Sequence, residues 1–205
     1  MTSIKDHLQL ILKDTNYKLA IFSSEEIQAL RECIIFKEIR GKSTAFIECT
    51  KRNKHIQLKP EEVIRQLYTL RLVNHYGYPL SRIGFEQSVT FGREKKSADI
   101  IVFDKDRPET PYIIIEVKKP KLNDGKAQLR SYCNATGAPI AVWTNGEKIS
   151  HYHRKDPNYF EDITDIPKAS QGFYPVSTDG LKTVDNFISS LATRLLIRGL
   201  WNRSI

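Results

Sequence analysis

The stretch Ile113-Ile114-Ile115-Glu116-Val117-Lys118 constrains this chain more than any other. Four of its six residues are β-branched and apolar, which predicts a buried strand. Side chains alternate along a strand, so Glu116 and Lys118 point to one face and Val117 to the other. An acid and an amine side by side at the end of a buried strand make either an ordinary ion pair or a reactive site. A lone Glu-x-Lys triplet is too short to decide between them.

The preceding stretch shifts the balance. Ser97-Ala98-Asp99-Ile100-Ile101-Val102-Phe103-Asp104 is a second apolar run opened by one acid. Between the two runs lies Lys105-Asp106-Arg107-Pro108-Glu109-Thr110-Pro111, polar and twice interrupted by proline, which predicts a hairpin loop. Centring that loop on Pro108 places Asp99 opposite Glu116 or Val117. Two carboxylates and a lysine then share one end of a hairpin. Carboxylates this close repel unless a cation sits between them. Hard oxygen donors favour Mg²⁺, which takes one or two carboxylates and fills the rest of its shell with water and substrate phosphate.

The whole chain is consistent with a partner of that kind. Its 205 residues suffice for one domain with a sizeable core. A formal net charge of +8 and a pI near 9.3 suit a polyanion such as nucleic acid. Cys33, Cys49 and Cys133 show no Cys-x-x-Cys spacing, so neither structural zinc nor a disulfide framework is expected, and a reducing compartment is. No apolar run is as long as a bilayer-spanning helix, and Met1-Thr2-Ser3-Ile4-Lys5-Asp6 does not read as a signal peptide. No membrane partner is expected.

In chain order, Ile4, Leu8, Ile11 and Leu12 have helical spacing, Tyr17 to Phe22 reads as a short strand, and Ser23-Ser24-Glu25-Glu26 caps a helix. The segments 33–36 and 45–49 flank Arg40-Gly41-Lys42-Ser43 as a hairpin, with Cys33 and Cys49 nearly opposite. No chemistry is legible up to this point. Pro60-Glu61-Glu62 opens a helix whose core face is Val63, Leu67, Leu70 and Val73 or Asn74, stopped at Gly77. Ile83 to Val89 reads as a strand, followed by the basic turn Phe91-Gly92-Arg93-Glu94-Lys95-Lys96, either a solvated loop or a phosphate contact.

Asn123 or Asp124 caps a helix running to about Ala135, on which Gln128 and Tyr132 lie one turn apart. Ile140 to Trp143 is a strand parallel to the first, and Asn145-Gly146 turns the chain back into Ile149 to His153. His151 and His153 have no third ligand spaced to join them. Residues 157–175 read as loop, and Lys182 to Trp201 as an amphipathic helix with Val184, Phe187, Ile188, Leu191 and Leu195 on one face. No phosphate loop ending in Gly-Lys-Ser/Thr is present.

Asp99, then Glu116-Val117-Lys118, then Gln128-x-x-x-Tyr132 resembles the PD-(D/E)xK nuclease superfamily in its branch with a Gln-x-x-x-Tyr helix. The longer stretches Pro60-Glu61-Glu62-Val63-Ile64-Arg65-Gln66, Gly92 to Asp99, Glu116 to Pro120 and Trp143-Thr144-Asn145-Gly146 resemble the N-terminal nuclease domain of type I restriction enzyme restriction subunits. Ala98-Asp99 stands where the superfamily signature has Pro-Asp. Subunits of that family continue into a large ATP-driven translocase, and this sequence stops at Ile205.

The resemblance implies an α/β (α+β), restriction-endonuclease-like fold: a mixed central sheet flanked by helices, with the site at one sheet end. Residues 1–170 would form the nuclease domain, with a core over about 59–155 and residues 1–58 as an extension. Residues 171–205 would add a loop and the amphipathic helix. Asp99, Glu116 and the Val117 carbonyl would bind Mg²⁺, with Mn²⁺ as a substitute. Lys118 would orient the attacking water, Glu62 or else Glu61 would supply the helix acid, and Gln128 and Tyr132 would position the site or hold DNA. Arg93, Lys95, Lys96, Lys119, Lys121 and Lys126 flank the site as candidate DNA contacts. Implied partners are DNA, modification and specificity subunits, and a translocase in cis or in trans, in a bacterial or archaeal cytoplasm. Two other readings stay open: a repair or junction-resolving nuclease with the same triad, and a nucleic-acid-binding module on the same fold that does not cleave.

Overall fold

The computed structural model describes residues 4–13, 15–49, 54–91, 94–120, 125–156 and 159–171. In chain order these form α1 (Ile4–Leu12), α2 (Ser24–Glu32), β1 (Ile34–Ile39), β2 (Lys42–Cys49), β3 (Lys54–Gln57) and α3 (Pro60–Asn74). There follow a 3-10 turn (Leu80–Arg82), β4 (Ile83–Phe91), β5 (Glu94–Phe103), β6 (Pro111–Val117), α4 (Gly125–Thr136), β7 (Ile140–Thr144), β8 (Ile149–Asp156) and β9 (Tyr159–Ile163).

Strands β4 to β9 form one six-stranded sheet in sequence order. Every neighbouring pair is antiparallel except β6 and β7, which α4 connects in parallel. Helices cover both faces, which is why β6 and β7 are buried nearly end to end instead of alternating. On one face Ile113, Ile115, Val117, Ile140 and Val142 pack with Val63, Ile64, Leu67 and Tyr68 of α3. On the other, Ile114, Ala141 and Trp143 pack with Leu129, Tyr132 and Cys133 of α4. Each of these isoleucines contributes roughly 1.5–3 kcal/mol by leaving water. The fold is therefore the expected mixed sheet flanked by helices.

A separate antiparallel sheet, β1-β2-β3, packs its Ile47 and Cys49 into the α3 core together with Leu8, Phe22 and Leu30. The capping box of α2 forms, with Glu26 N–H donating to Ser23 Oγ and Ser23 N–H to Glu26 Oε2. The hairpin turn is Arg40-Gly41, both with positive φ. Its register pairs Ile34 with Ile47, so Cys33 falls one residue away from facing Cys49; both are free thiols.

Several expectations are corrected. Tyr17 to Phe22 is not a strand but irregular chain. Its apolar residues face the core while Ile21 N–H donates to Gly146 O, a loop carbonyl, so no ladder forms. Helix α3 has no single core face: Glu62 through Thr69 are buried without a break, because the sheet covers one side and the N-terminal elements the other. Glu94 to Lys96 belong to β5, not to a loop. The turn after β7 spans residues 145–148, and Asn145 Oδ1 closes it by accepting from Glu147 N–H and Lys148 N–H. Residues 159–163 form β9 where a loop was expected. The cap at Asn123 or Asp124 and the helix from Lys182 to Trp201 lie outside the described residues, as do Arg93 and Lys121. No helix among the described residues is long and apolar enough to cross a membrane.

Candidate active site

The middle of β5, at Asp99, and the C-terminal end of β6 meet the first turns of α3 and α4, and the charged residues gather there. The two ladder pairs Phe85–Ile100 and Gln87–Ala98 leave Glu86 and Asp99 between them. Glu86 takes φ +49, a left-handed conformation that costs energy in a side-chain-bearing residue and concentrates at functional sites. The alternation of β5 also breaks here: Ala98 packs in the α4 cluster and Ile100 in the α3 cluster. This irregularity presents Asp99 to α3. Asp99 Oδ2 accepts from Val117 N–H at 2.8 Å and Oδ1 from Arg65 Nη2 at 2.7 Å. The hairpin register thus brings Asp99 to the Glu116–Val117 step, as the loop centre implied.

Glu116 and Lys118 share a face, as strand alternation requires, and Lys118 Nζ lies 2.5 Å from Glu116 Oε1. Glu116 is 2% exposed. Burial and then the neighbouring Asp99 charge push its carboxyl up to about 7, against the lowering pull of Lys118. Its second oxygen, Oε2, is buried and has no hydrogen-bond partner. A buried oxygen left this way needs an explanation, and a cation-binding role would supply one.

Lys118 lies across the start of α4, where residue 125 is glycine. A Cβ at Gly125 would stand 2.6 Å from both Cγ and Cε of Lys118. From there Lys118 Nζ donates to Gln128 Oε1 at 3.3 Å. A lysine can only donate, which fixes the amide orientation and leaves Gln128 Nε2 to donate to Tyr132 Oη. Tyr132 Oη in turn donates to Ser97 O at 3.5 Å, back on β5. The Gln-x-x-x-Tyr spacing therefore ties the lysine to the strand that carries Asp99.

On the other side, Glu62 is the buried acid of the pair that opens α3; Glu61 is 38% exposed at its side chain. Glu62 Oε1 accepts from Gln66 Nε2 at 2.7 Å and Oε2 from Arg65 Nη1. Arg65 was not among the residues that the sequence marks out, and it is the hub: it also pairs with Glu61 at 3.4 Å, Glu86 at 3.7 Å and Asp99. Burial disfavours its charge, but Glu62 and Asp99 outweigh that and hold its pKa above the usual value. Tyr17 is a second residue that sequence reading misses. Burial first, then Glu61 and Asp99, push its phenol up to about 12. What holds Tyr17 here is Gly146, whose Cβ position is 2.4 Å from Lys18 O and 2.5 Å from Ile64 Cδ1 and whose φ is +84. Only a residue without a side chain lets the N-terminal chain pass so close.

The remaining candidates divide. Lys119 is exposed beside the site. Lys126 is half-buried, with Nζ 5.6 Å from the centroid of the Trp143 ring and 5.7 Å from that of Tyr152. Lys95 and Lys96 lie on β5. His151 lies 3.8 Å from Asp165, and burial lowers its pKa; His153 is half-buried, and neither joins the site. No three His, Cys, Asp or Glu side chains among the described residues are arranged to hold a metal ion. What the site offers is two carboxylates, Asp99 and Glu116, on neighbouring strands, a donor set that fits an ion keeping most of its water, as Mg²⁺ does.

A mixed sheet carrying an Asp and a Glu-x-Lys strand end on two neighbouring interior strands, with a Gln-x-x-x-Tyr helix beside them, is the arrangement of a nuclease-class protein. The chain belongs to the family described as Type I restriction enzyme R protein N terminus, which it matches over residues 60–167, about half its length. No curated protein matches it in sequence. Among solved structures it is similar to that of a candidate nuclease belonging to DUF820 from Anabaena variabilis ATCC 29413. That likeness has 16% identity and a TM-score of 0.38, and it covers 71% of this chain and 88% of the other.

Proposed function

We propose that this chain is the DNA-cleaving part of a type I restriction enzyme, hydrolysing phosphodiester bonds with Mg²⁺ held by Asp99, Glu116 and the Val117 carbonyl. Family membership supports the coarser reading, a nuclease. The observation that carries the finer one is the buried, unpartnered Glu116 Oε2, beside Asp99 and on the same strand face as Lys118. Burial does most to raise the Glu116 carboxyl and the Asp99 charge adds to it; a divalent cation would offset both by favouring the ionised form. Mn²⁺, with the same preference for oxygen, is expected to replace Mg²⁺.

When bound, the ion supplies charge neutralisation at the phosphate and a lowered pKa for water. The chain's own residues do the rest. Lys118, held by Glu116 and Gln128, orients the attacking water and donates to the phosphate oxygens as their charge develops. Gln128 and Tyr132 keep the ammonium from turning into solvent. Glu62 acts through Arg65, which it shares with Asp99. Lys119, with Arg93, Lys95, Lys96 and Lys121, contributes positive charge for a DNA backbone without reading sequence, while Lys126 of the same candidate set is held over Trp143 and Tyr152.

The sequence carries no recognisable helix-turn-helix or zinc-finger reader and no motor loop. Delivery and specificity would come from modification and specificity subunits and an ATP-driven translocase, in cis or in trans, in the cytoplasm. Tethering to that assembly raises the local DNA concentration, so the chain alone is expected to cut weakly and without sequence preference. The test is turnover of plasmid DNA by the purified 205-residue chain with Mg²⁺, with and without partner subunits. Slow, metal-dependent, non-specific nicking that partners accelerate is the expected result. Efficient site-specific cleavage by the chain alone would assign it to a self-sufficient nuclease, and no cleavage under any of these conditions would remove the activity.

A further inference from the structure

One guanidinium stands where four carboxylates meet. Arg65 Nη2 lies 2.7 Å from Asp99 and 3.4 Å from Glu61, and Nη1 bonds Glu62 and lies 3.7 Å from Glu86. Its side chain is only 7% exposed, so it is not displayed to a substrate phosphate. The acids that converge on it come from α3, β4 and β5. Without Arg65, Glu61, Glu62, Glu86 and Asp99 would lose the positive charge they share, and Lys118 is already paired with Glu116.

We propose that Arg65 is a positioning residue that stands in for the divalent cation, holding Asp99 in place before the metal arrives and weakening the metal's hold once it has. The inference rests on the metal reading above and extends it to the regulation of that site. Asp99 has two oxygens: Oδ2 is engaged by Val117 N–H and Oδ1 by Arg65. An incoming cation must share Asp99 with a fixed positive charge, and like charges in a buried setting repel strongly. The gain is a site already assembled without metal, since Asp99 is fixed to both β6 and α3. The cost is lower metal affinity.

The sign of one measurement separates this role from a merely structural one. If Arg65 only supports the fold, removing it loosens Asp99 and weakens metal binding. If it stands in for the metal, removing it tightens metal binding while the metal-free protein becomes less stable. The experiment titrates Mn²⁺ alone, without DNA, into the full chain and into Arg65→Met, Arg65→Gln and Arg65→Lys, following binding calorimetrically and melting with and without the ion. Arg65→Met and Arg65→Gln are expected to melt lower without metal, bind Mn²⁺ at least roughly fivefold more tightly, and gain a larger rise in Tm from it. Arg65→Lys keeps the charge and is expected to bind Mn²⁺ as the parent does.

Should Arg65→Met fail to fold, Arg65→Gln, which retains a donor for Asp99, decides the question together with Arg65→Lys. Unchanged or weaker Mn²⁺ binding by folded Arg65→Gln overturns the inference, as does an Arg65→Lys chain that binds more tightly than the parent. In either case the metal reading survives if the parent binds Mn²⁺ and Glu116→Gln does not. Absence of Mn²⁺ binding in the parent chain overturns both.

Discussion

The two helices at the site end of the sheet hold their polar residues in opposite ways. Helix α3 closes most of its charges: both terminal nitrogens of Arg65 are paired with carboxylates, and Glu62 is buried with both of its oxygens bonded. Helix α4 leaves its chain of bonds open toward the reacting end: Tyr132, Gln128 and Lys118 are linked in series, and the lysine retains 19% exposure at its side chain. A closed network fixes geometry, and an open one keeps a donor ready. On the proposed function, stability belongs to the α3 side and chemistry to the α4 side, and each substitution below is a way of breaking that division.

The largest effect is expected at Lys118. Lys118→Ala should lower cleavage by about 10³-fold or more, since it removes a donor aimed at developing charge, and should lower the melting temperature less than Asp99→Ala does, because Glu116, left without its ion-pair partner, can take up a proton. Gln128→Ala, one bond further back, should cost roughly tenfold. Asp99→Ala should abolish cleavage equally but also destabilise the fold by roughly 1–3 kcal/mol, because Val117 N–H and Arg65 Nη2 lose an acceptor while Arg65 keeps its pair with Glu62. Plasmid nicking and thermal melts on the same three preparations check this. A Lys118→Ala chain as unstable as Asp99→Ala would erase the distinction between the two sides.

Much of the α4 side was legible in the sequence, and little of the α3 side. Glu116 and Lys118 share a face because side chains on a strand alternate, and Gln128 and Tyr132 because four residues are about one helical turn. These are local rules, and a parallel β6–β7 pair follows from the length of the connection between them. Arg65 obeys no such rule. It lies in a helix that reads as amphipathic, and its burial depends on Asp99, 34 residues away, and Glu86. Tyr17 reaches the site only because a glycine far along the chain makes room. Strand β9 was hidden for a related reason: prolines flank its segment, and its strand state depends on pairing with β8.

Next in size is a pH effect at Glu116, which sits between the two networks. Its carboxyl titrates near 7 in the folded protein against 4.5 when unperturbed. Below 4.5 both states are protonated and Glu116 has no effect on stability. As pH rises toward 7 the unfolded chain ionises first, so stability is lost through that window and the loss is complete above it. Glu116→Gln should remove this dependence and stabilise the metal-free protein by roughly 3 kcal/mol above pH 7. Denaturant melts of both chains across pH 4 to 8, without metal, measure it. A variant no more stable than the parent at pH 8 would mean that the Glu116 charge is already compensated by Lys118.

The smallest effect sharpens the comparison on the solvent side of α4. Lys119 and Lys126 carry the same charge and flank the same site, but their settings differ. Lys119 is exposed, with its ammonium in water, whereas Lys126 lies over the faces of Trp143 and Tyr152. An exposed lysine that neutralises a phosphate releases a counterion, so losing it should reduce the slope of log affinity against log salt by about 0.9. A lysine held over two rings is partly committed to the fold, and its loss should cost roughly 0.5–1 kcal/mol of stability. Lys119→Gln is therefore expected to flatten the salt dependence of DNA binding without changing the melt, and Lys126→Gln to lower the melt with little change in slope. Fluorescence anisotropy of a short duplex over a salt series, paired with melting curves, reads both. An equal change of slope in the two variants would show that Lys126 leaves its rings for the phosphate backbone, and the aromatic seat would then be a resting position for a DNA contact.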